Sequence, residues 1–132
     1  MPRFTYGFFI LFLFAACAST PVPTDRNCTD LVMKTAVRLN AGSMMFNDLA
    51  ENRIGKSGFF YILSPAGIIV YHPNQPLTGR NVADVPQVKA ILASESGVST
   101  ETLGGLSRTV FFRRLESGNT LCLSLDASEL EK

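Results

Sequence analysis

The chain has 132 residues, and its 12 lysine and arginine residues nearly balance its 11 aspartate and glutamate residues, for a formal net charge of +1 at pH 7. A chain so close to neutrality has no electrostatic footprint for nucleic acid. Its length is enough for one domain around one hydrophobic core.

The first 16 residues have the pattern of a secretory signal. Arg3 precedes an apolar run, Phe8–Ala16, that is too short to span a bilayer as a helix. The four residues FAAC, which end at Cys17, resemble a bacterial lipobox, although leucine is usual where this chain has phenylalanine. The alternative is plain secretion, with cleavage at the small residues around Cys17. We therefore expect residues 1–16 to be removed and the exported chain to be lipid-anchored through Cys17.

Residues 17–26 are small, polar and rich in proline, which is typical of a tether. A single domain, residues 27–132, then begins with a helix that we expect Asn27 to cap. Asn40-Ala41-Gly42 disfavours helix, so we predict a kink or break there. We expect Met44-Met45-Phe46 to fill the core. Apolar residues recur at helical spacing along this region: Cys28, Val32, Ala36, Leu39, Phe46 and Leu49.

The next stretch predicts an antiparallel hairpin. Two apolar runs, Phe59–Leu63 and Ile68–Tyr71, are rich in aromatic and β-branched residues. Ser64-Pro65-Ala66-Gly67 lies between them and has the composition of a type I turn. The strand pattern ends at His72-Pro73, because proline cannot donate a hydrogen bond to a ladder.

The last part of the chain predicts one short helix and three strands. Asp84-Val85-Pro86 opens the helix, with proline in its first turn, and Gly97 closes it. Glycine-rich turns separate the strands, and five strands joined by tight turns predict an α+β fold with a mostly antiparallel sheet. The three strands are Val98–Leu103, Arg108–Leu115 and Thr120–Leu125.

The segment GFFYILSPAGIIVYHPNQPLTGRN, residues 58–81, resembles the signature of Cache domains, which are extracytoplasmic sensor modules of bacterial receptors. Ser64 stands where aspartate is commoner in them. The resemblance extends from about Cys28 to Leu125. It implies a PAS-like five-stranded antiparallel sheet with a long N-terminal helix on one face. On the other face, the segment between strands two and three, with its short helix, would cap a small-molecule pocket. The matching residues are Gly58, Tyr61, Gly67, His72, Pro73, Gly79 and Asn81.

The resemblance also implies a sensor that binds an organic acid or an amino acid. No second apolar segment is long enough to cross a membrane, so we expect a separate membrane partner, such as a sensor kinase or a chemoreceptor. The chain has one histidine and no nucleophile elbow or phosphate loop. We therefore expect neither an enzyme nor a cofactor or metal. The alternative is a structural or protein-interaction lipoprotein without a ligand.

Five side chains are candidates for ligand binding: Tyr61, Tyr71, His72, Arg80 and Arg108. The two arginines are able to clamp a carboxylate with paired hydrogen bonds. Tyr71 and His72 face opposite sides of their strand, so at most one of them faces a given pocket. Each candidate also has an ordinary structural alternative, as a turn, edge or solvated side chain.

Two cysteines remain beside Cys17. Cys28 lies on the apolar stripe of the first helix, and Cys122 lies in the middle of the last strand. An even pair in an exported chain predicts a disulfide that joins helix and sheet. The alternative is two buried free thiols.

Overall fold

The structure, a computed structural model, describes residues 22–131. The predicted signal segment and Cys17 lie outside the described residues. Among these residues, no helix is both long and apolar enough to cross a membrane. The helices are α1 (Asp25–Asn40) and α2 (Pro86–Leu92), with three 3-10 helices at Phe46–Glu51, Gln75–Leu77 and Ala127–Glu129. The strands are β1 (Phe59–Leu63), β2 (Ile69–Tyr71), β3 (Ser96–Leu103), β4 (Leu106–Arg114) and β5 (Thr120–Asp126).

The five strands form one antiparallel sheet in the order β2-β1-β5-β4-β3. Helix α1 packs on one face, and the β2–β3 segment with α2 packs on the other. The predicted α+β architecture is therefore confirmed. We name the two sides of the sheet the α1 face and the α2 face.

Helix α1 begins earlier than the sequence pattern predicts. Thr24 is the N-cap, because its side chain accepts a hydrogen bond of 3.0 Å from the backbone N–H of Asn27. The prediction that Asn27 is the cap is wrong. The predicted tether, residues 17–26, is also too long at its C-terminal end, because Asp25 is already helical.

The main core lies under α1. The helix ends at Asn40, so the predicted break is confirmed, and the apolar stripe loses its helical register beyond that point. Met44 is buried, whereas Met45 is 72% exposed and Phe46 is 36% exposed, so only one of these three residues fills the core as expected. The core residues are Cys28, Val32, Ala36, Met44, Leu49, Ile54, Phe60, Ile62, Phe111, Leu115, Leu121, Leu123 and Leu125.

A smaller apolar cluster occupies the middle of the α2 face. Helix α2 ends at Leu92, so the prediction that Gly97 closes it is wrong; Gly97 lies in β3. A side chain there would meet the ring of Phe112 at 3.2 Å, which favours glycine. The cluster consists of Leu63, Ile69, Val88, Ile91, Val110, Phe112 and Cys122, with Leu77, Val82 and Leu92 packed against it.

The structure corrects the predicted disulfide. Cys28 belongs to the core under α1, whereas Cys122 belongs to the cluster on the α2 face, and both are free thiols. Successive residues of a strand point to opposite faces, so Cys122 faces away from α1 while its neighbours Leu121 and Leu123 face it. Burial raises the pKa of Cys28 to about 11 and also raises the pKa of Cys122, so both thiols stay protonated.

Candidate functional site

Three rings meet on the α2 face near the start of β1. Phe59 and Tyr61 alternate along β1 with Phe60, which faces α1. His72 follows β2, and its ring centroid lies 5.0 Å from that of Phe59 and 5.7 Å from that of Tyr61. The centroids of Phe59 and Tyr61 are 6.1 Å apart. The three rings therefore form a contiguous aromatic surface.

Arg108 borders this aromatic surface from β4. Its guanidinium carbon lies 5.3 Å from the ring centroid of Phe59, a cation–π distance. Its Nε and Nη2 donate to the hydroxyl of Ser124 at 3.2 and 3.0 Å. These contacts hold the guanidinium in place, and 34% of the side chain remains exposed to solvent. Arg108 is thus positioned and still accessible.

The ion pair of Arg108 is loose. Its Nη1 lies 3.5 Å from Oδ1 of Asp126, the residue directly opposite in β5. Strong charge-assisted hydrogen bonds measure about 2.7–2.9 Å. The Asp126 side chain is 39% exposed, and pairs of this kind contribute about 0–1 kcal/mol. A ligand with a carboxylate and an ammonium group is therefore able to pair with Arg108 and Asp126 while losing little free energy from their own ion pair.

The tyrosine and histidine of the site are neutral near pH 7. Burial raises the pKa of Tyr61 well above its ordinary value, so the phenol keeps its proton and remains a hydrogen-bond donor. Burial lowers the pKa of His72. Its Nδ1 accepts a hydrogen bond of 2.9 Å from the backbone N–H of Asn74, which places the ring proton on Nε2.

The loop before β1 contacts both charged residues of the site through Ser57. The Ser57 hydroxyl accepts a hydrogen bond of 2.9 Å from the backbone N–H of Asp126, and the Ser57 carbonyl lies 3.5 Å from Nη2 of Arg108. The Ser57 backbone N–H and hydroxyl both donate to Glu129, at 2.9 and 2.5 Å. These bonds lower the pKa of Glu129 and keep it charged. Ser57 thus connects the Arg108–Asp126 pair to the C-terminal 3-10 helix.

The structure brings together three of the five predicted binding residues: Tyr61, His72 and Arg108. Tyr71 packs toward the α1 face, with its ring centroid 6.5 Å from that of Phe46, so it does not share the site. Arg80 is exposed. Within residues 22–131 its side chain makes no hydrogen bond or ion pair, and its backbone carbonyl accepts the N–H of Ile69 at 2.9 Å.

Three further residues of the site were absent from the sequence prediction: Phe59, Ser124 and Asp126. The predicted turn Ser117-Gly118-Asn119 does not give the register that would have found Asp126. Counting outward from that turn places Ser128 opposite Arg108, whereas the structure pairs Arg108 with Asp126, two residues earlier. Phe59 and Ser124 required knowledge of which residues share the α2 face.

No family model matches the sequence, and no curated protein matches it. Solved structures do. The ligand-binding domain of Mlp24 with asparagine is 21% identical, with a TM-score of 0.50, over 64% of this chain and 36% of that chain. The ligand-binding domain of the Pseudomonas aeruginosa amino acid chemoreceptor PctB with L-Gln is 19% identical, with a TM-score of 0.50, over 65% and 38%. A methyl-accepting chemotaxis protein from Vibrio parahaemolyticus is 14% identical, with a TM-score of 0.53, over 70% and 79%.

The fold is that of a Cache domain. The matched part spans between one third and two fifths of the Mlp24 and PctB domains. In this chain α1 lies on one face of the sheet and the β2–β3 segment with α2 lies on the other, as the resemblance in the sequence implies. Within residues 22–131, no group of three or more His, Cys, Asp or Glu side chains is placed to hold a metal ion.

Proposed function

We propose that the chain is an extracytoplasmic sensor domain that binds a small metabolite with a carboxylate, an amino acid or an organic acid. The ligand site is the aromatic–arginine site: Phe59, Tyr61, His72, Arg108 and Asp126. One observation carries the proposal. A guanidinium held over an aromatic ring remains partly exposed, with a loosely paired carboxylate 3.5 Å away.

The chemistry of the site suits an amino acid. The ligand carboxylate would accept two hydrogen bonds from Arg108, because a guanidinium presents its donors as a planar fork. The ligand ammonium would replace Arg108 as the partner of Asp126. The neutral phenol of Tyr61 would donate a third hydrogen bond, and the rings of Phe59 and His72 would bury the apolar part. The asparagine and L-Gln named with the Mlp24 and PctB domains support this class of ligand.

A sensor domain of this kind requires an output partner. We infer that the exported chain, anchored by lipid on Cys17, reports to a separate membrane sensor kinase or chemoreceptor. Cys17→Ser should release the protein from the membrane fraction, and mass spectrometry of the wild type should find an acylated Cys17. A soluble mature chain that begins at Ser19 would contradict the anchor without affecting the ligand site.

Isothermal titration tests the ligand site. L-asparagine, L-glutamine and small monocarboxylic and dicarboxylic acids are titrated into the wild type, Arg108→Gln and Arg38→Gln. Arg38 is an exposed arginine on α1, and it serves as the charge-matched control. A charge-assisted contact contributes about 1.5–3 kcal/mol, so Arg108→Gln should weaken binding about 10- to 150-fold. Arg38→Gln should leave affinity unchanged.

Two results would contradict the proposal. If no acid binds the wild type, the alternative of an interaction lipoprotein without a ligand gains support. If an acid binds equally well to Arg108→Gln, the ligand occupies another place. A circular dichroism melt of each variant separates loss of binding from loss of folding.

A further inference from the structure

A second arginine lies at the opposite end of the α2 face. Arg114 ends β4, six positions after Arg108, and Thr120 lies directly opposite it at the start of β5. Both residues line a cavity of about 370 Å³, which we name the Arg114 cavity. Its other walls are formed by Pro65, Leu92 and Gly118. This cavity does not include any residue of the aromatic–arginine site.

Arg114 is held in place without a carboxylate. Its Nη2 donates to the carbonyls of Leu92 and Ser94 at 3.1 and 3.3 Å, at the C-terminal end of α2. These two bonds occupy one nitrogen and leave the N–H groups of Nε and Nη1. Among the described residues, the one ion pair is that between Arg108 and Asp126. Glu95 and Glu116 line a neighbouring cavity that Arg114 also borders, although neither makes an ion pair with it, and none of the described residues that line the Arg114 cavity is acidic.

Thr120 supplies the second observation. The residue is 1% exposed, and its hydroxyl has no hydrogen-bond partner among the described residues. Buried hydroxyls without a partner are rare because they lose their bonds to water and gain nothing in return. Within the part of the chain that the structure describes, the strand neighbours of Thr120 on the same face are Arg114 in β4 and Leu63 in β1, and Leu63 has no side-chain acceptor.

We propose that the Arg114 cavity is a second binding site, for the carboxylate of a small monocarboxylic acid with a short apolar body. Among the described residues, both polar side chains that line the cavity are able to donate: the guanidinium of Arg114 and the hydroxyl of Thr120. A ligand oxygen would supply the acceptor that the Thr120 hydroxyl lacks and a further acceptor for the Nε and Nη1 groups of Arg114. The apolar walls formed by Pro65 and Leu92 fit a short hydrocarbon chain. This site is independent of the proposed aromatic–arginine site.

The test is an NMR titration of the uniformly ¹⁵N-labelled protein with sodium propionate, against sodium chloride at equal ionic strength. We expect saturable shifts of the backbone amides of Leu92, Gly118 and Thr120 with propionate only. Arg114→Gln should abolish them. Thr120→Val should weaken the apparent affinity about tenfold, because one hydrogen bond to a charged oxygen is lost.

Two matched variants act as controls. Arg113→Gln removes the neighbouring arginine, which lines a cavity with Val32 and Phe111 on the α1 face, and it should leave the propionate shifts unchanged. Arg108→Gln should also leave them unchanged, even if it abolishes binding at the aromatic–arginine site. Failure of either site is thus visible separately.

The stability of Thr120→Val provides a readout that does not depend on the ligand. Valine has the shape of threonine, so removal of an unpaired hydroxyl should leave the melting temperature unchanged or raise it. A lower melting temperature would show that the hydroxyl already has a partner and would overturn the proposal. Absence of saturable shifts in the wild type would also overturn it. Propionate shifts in Arg114→Gln that equal those of the wild type would overturn it as well. If that variant also had a lower melting temperature, Arg114 would serve only to cap α2.

Discussion

The two faces of the sheet are covered to different extents. Helix α1 has 16 residues and α2 has seven. The α1 face is packed with large aliphatic and aromatic side chains, whereas on the α2 face the apolar cluster occupies only the middle. At the two ends of the α2 face lie Arg108 and Arg114. A short cover therefore leaves room for charged groups at both ends of the face.

Strand β5 shows the difference residue by residue. All six positions from 120 to 125 are buried. The leucines at 121, 123 and 125 face α1, whereas Thr120, Cys122 and Ser124 face α2. Residues 120 to 125 are therefore equally buried, although alternate residues pack on different faces of the sheet. One face of the strand packs in the main core, whereas on the other face Cys122 packs in the smaller cluster and Ser124 holds Arg108.

The largest expected effect separates the two faces in stability. Leu123→Ala removes a fully buried side chain from the α1 face and should lower the free energy of unfolding by about 2–5 kcal/mol. Ser124→Ala removes only an acceptor of the partly exposed Arg108, which water is able to replace, and should cost about 0.5–1.5 kcal/mol. Urea denaturation of both variants measures the difference. Equal losses would show that the α2 face contributes to the fold as much as the α1 face does.

Much of this arrangement follows from the sequence. The alternation in Phe59–Leu63 and the turn at Ser64–Gly67 are local signals, and both predicted the observed hairpin. The opposite facing of Tyr71 and His72 also followed from strand periodicity and is observed. These features depend only on near neighbours in the chain, which is why the sequence was enough.

Other features depend on distant contacts. The predicted disulfide was wrong because β5 is buried on both sides, so burial does not show which face Cys122 is on. The leucines at every second position of β5 would have assigned Cys122 to the face opposite theirs. Arg80 belongs to a segment whose backbone pairs with β2 through Ile69, and no periodicity indicates where such a side chain points. Thr24 and Asn27 are both good capping residues, so the sequence alone does not decide which of them is the N-cap of α1. Tertiary packing decides each of these cases.

A smaller effect concerns pH. Burial lowers the pKa of His72 below its ordinary value of 6.5, so the folded protein binds fewer protons than the unfolded chain just below that pH. His72 therefore contributes stability that is present above pH 6.5 and is lost as the pH falls through its lowered pKa. His72→Asn should reduce the pH dependence of the melting temperature in that range. If the melting temperature of the variant depended on pH as that of the wild type does, groups other than His72 would be responsible for the dependence.

The smallest expected effect is that of reductant. Cys28 and Cys122 lie on opposite faces of the sheet as free thiols, so dithiothreitol should leave the melting temperature unchanged. Thiol titration without reductant should find both cysteines unreactive when folded and reactive after unfolding. A lower melting temperature in dithiothreitol would indicate a disulfide and a different relation between the two faces.

The central claim is that the ligand binds at the Arg108 end of the α2 face. The most direct measurement is an NMR titration with the tightest-binding acid from the calorimetric series, recorded on side chains of both faces. We predict saturable shifts of the rings of Phe59, Tyr61 and His72, while the methyl groups of Val32 and Leu121 under α1 stay unchanged. Shifts concentrated in those α1-face methyl groups, with the three rings unaffected, would contradict the account.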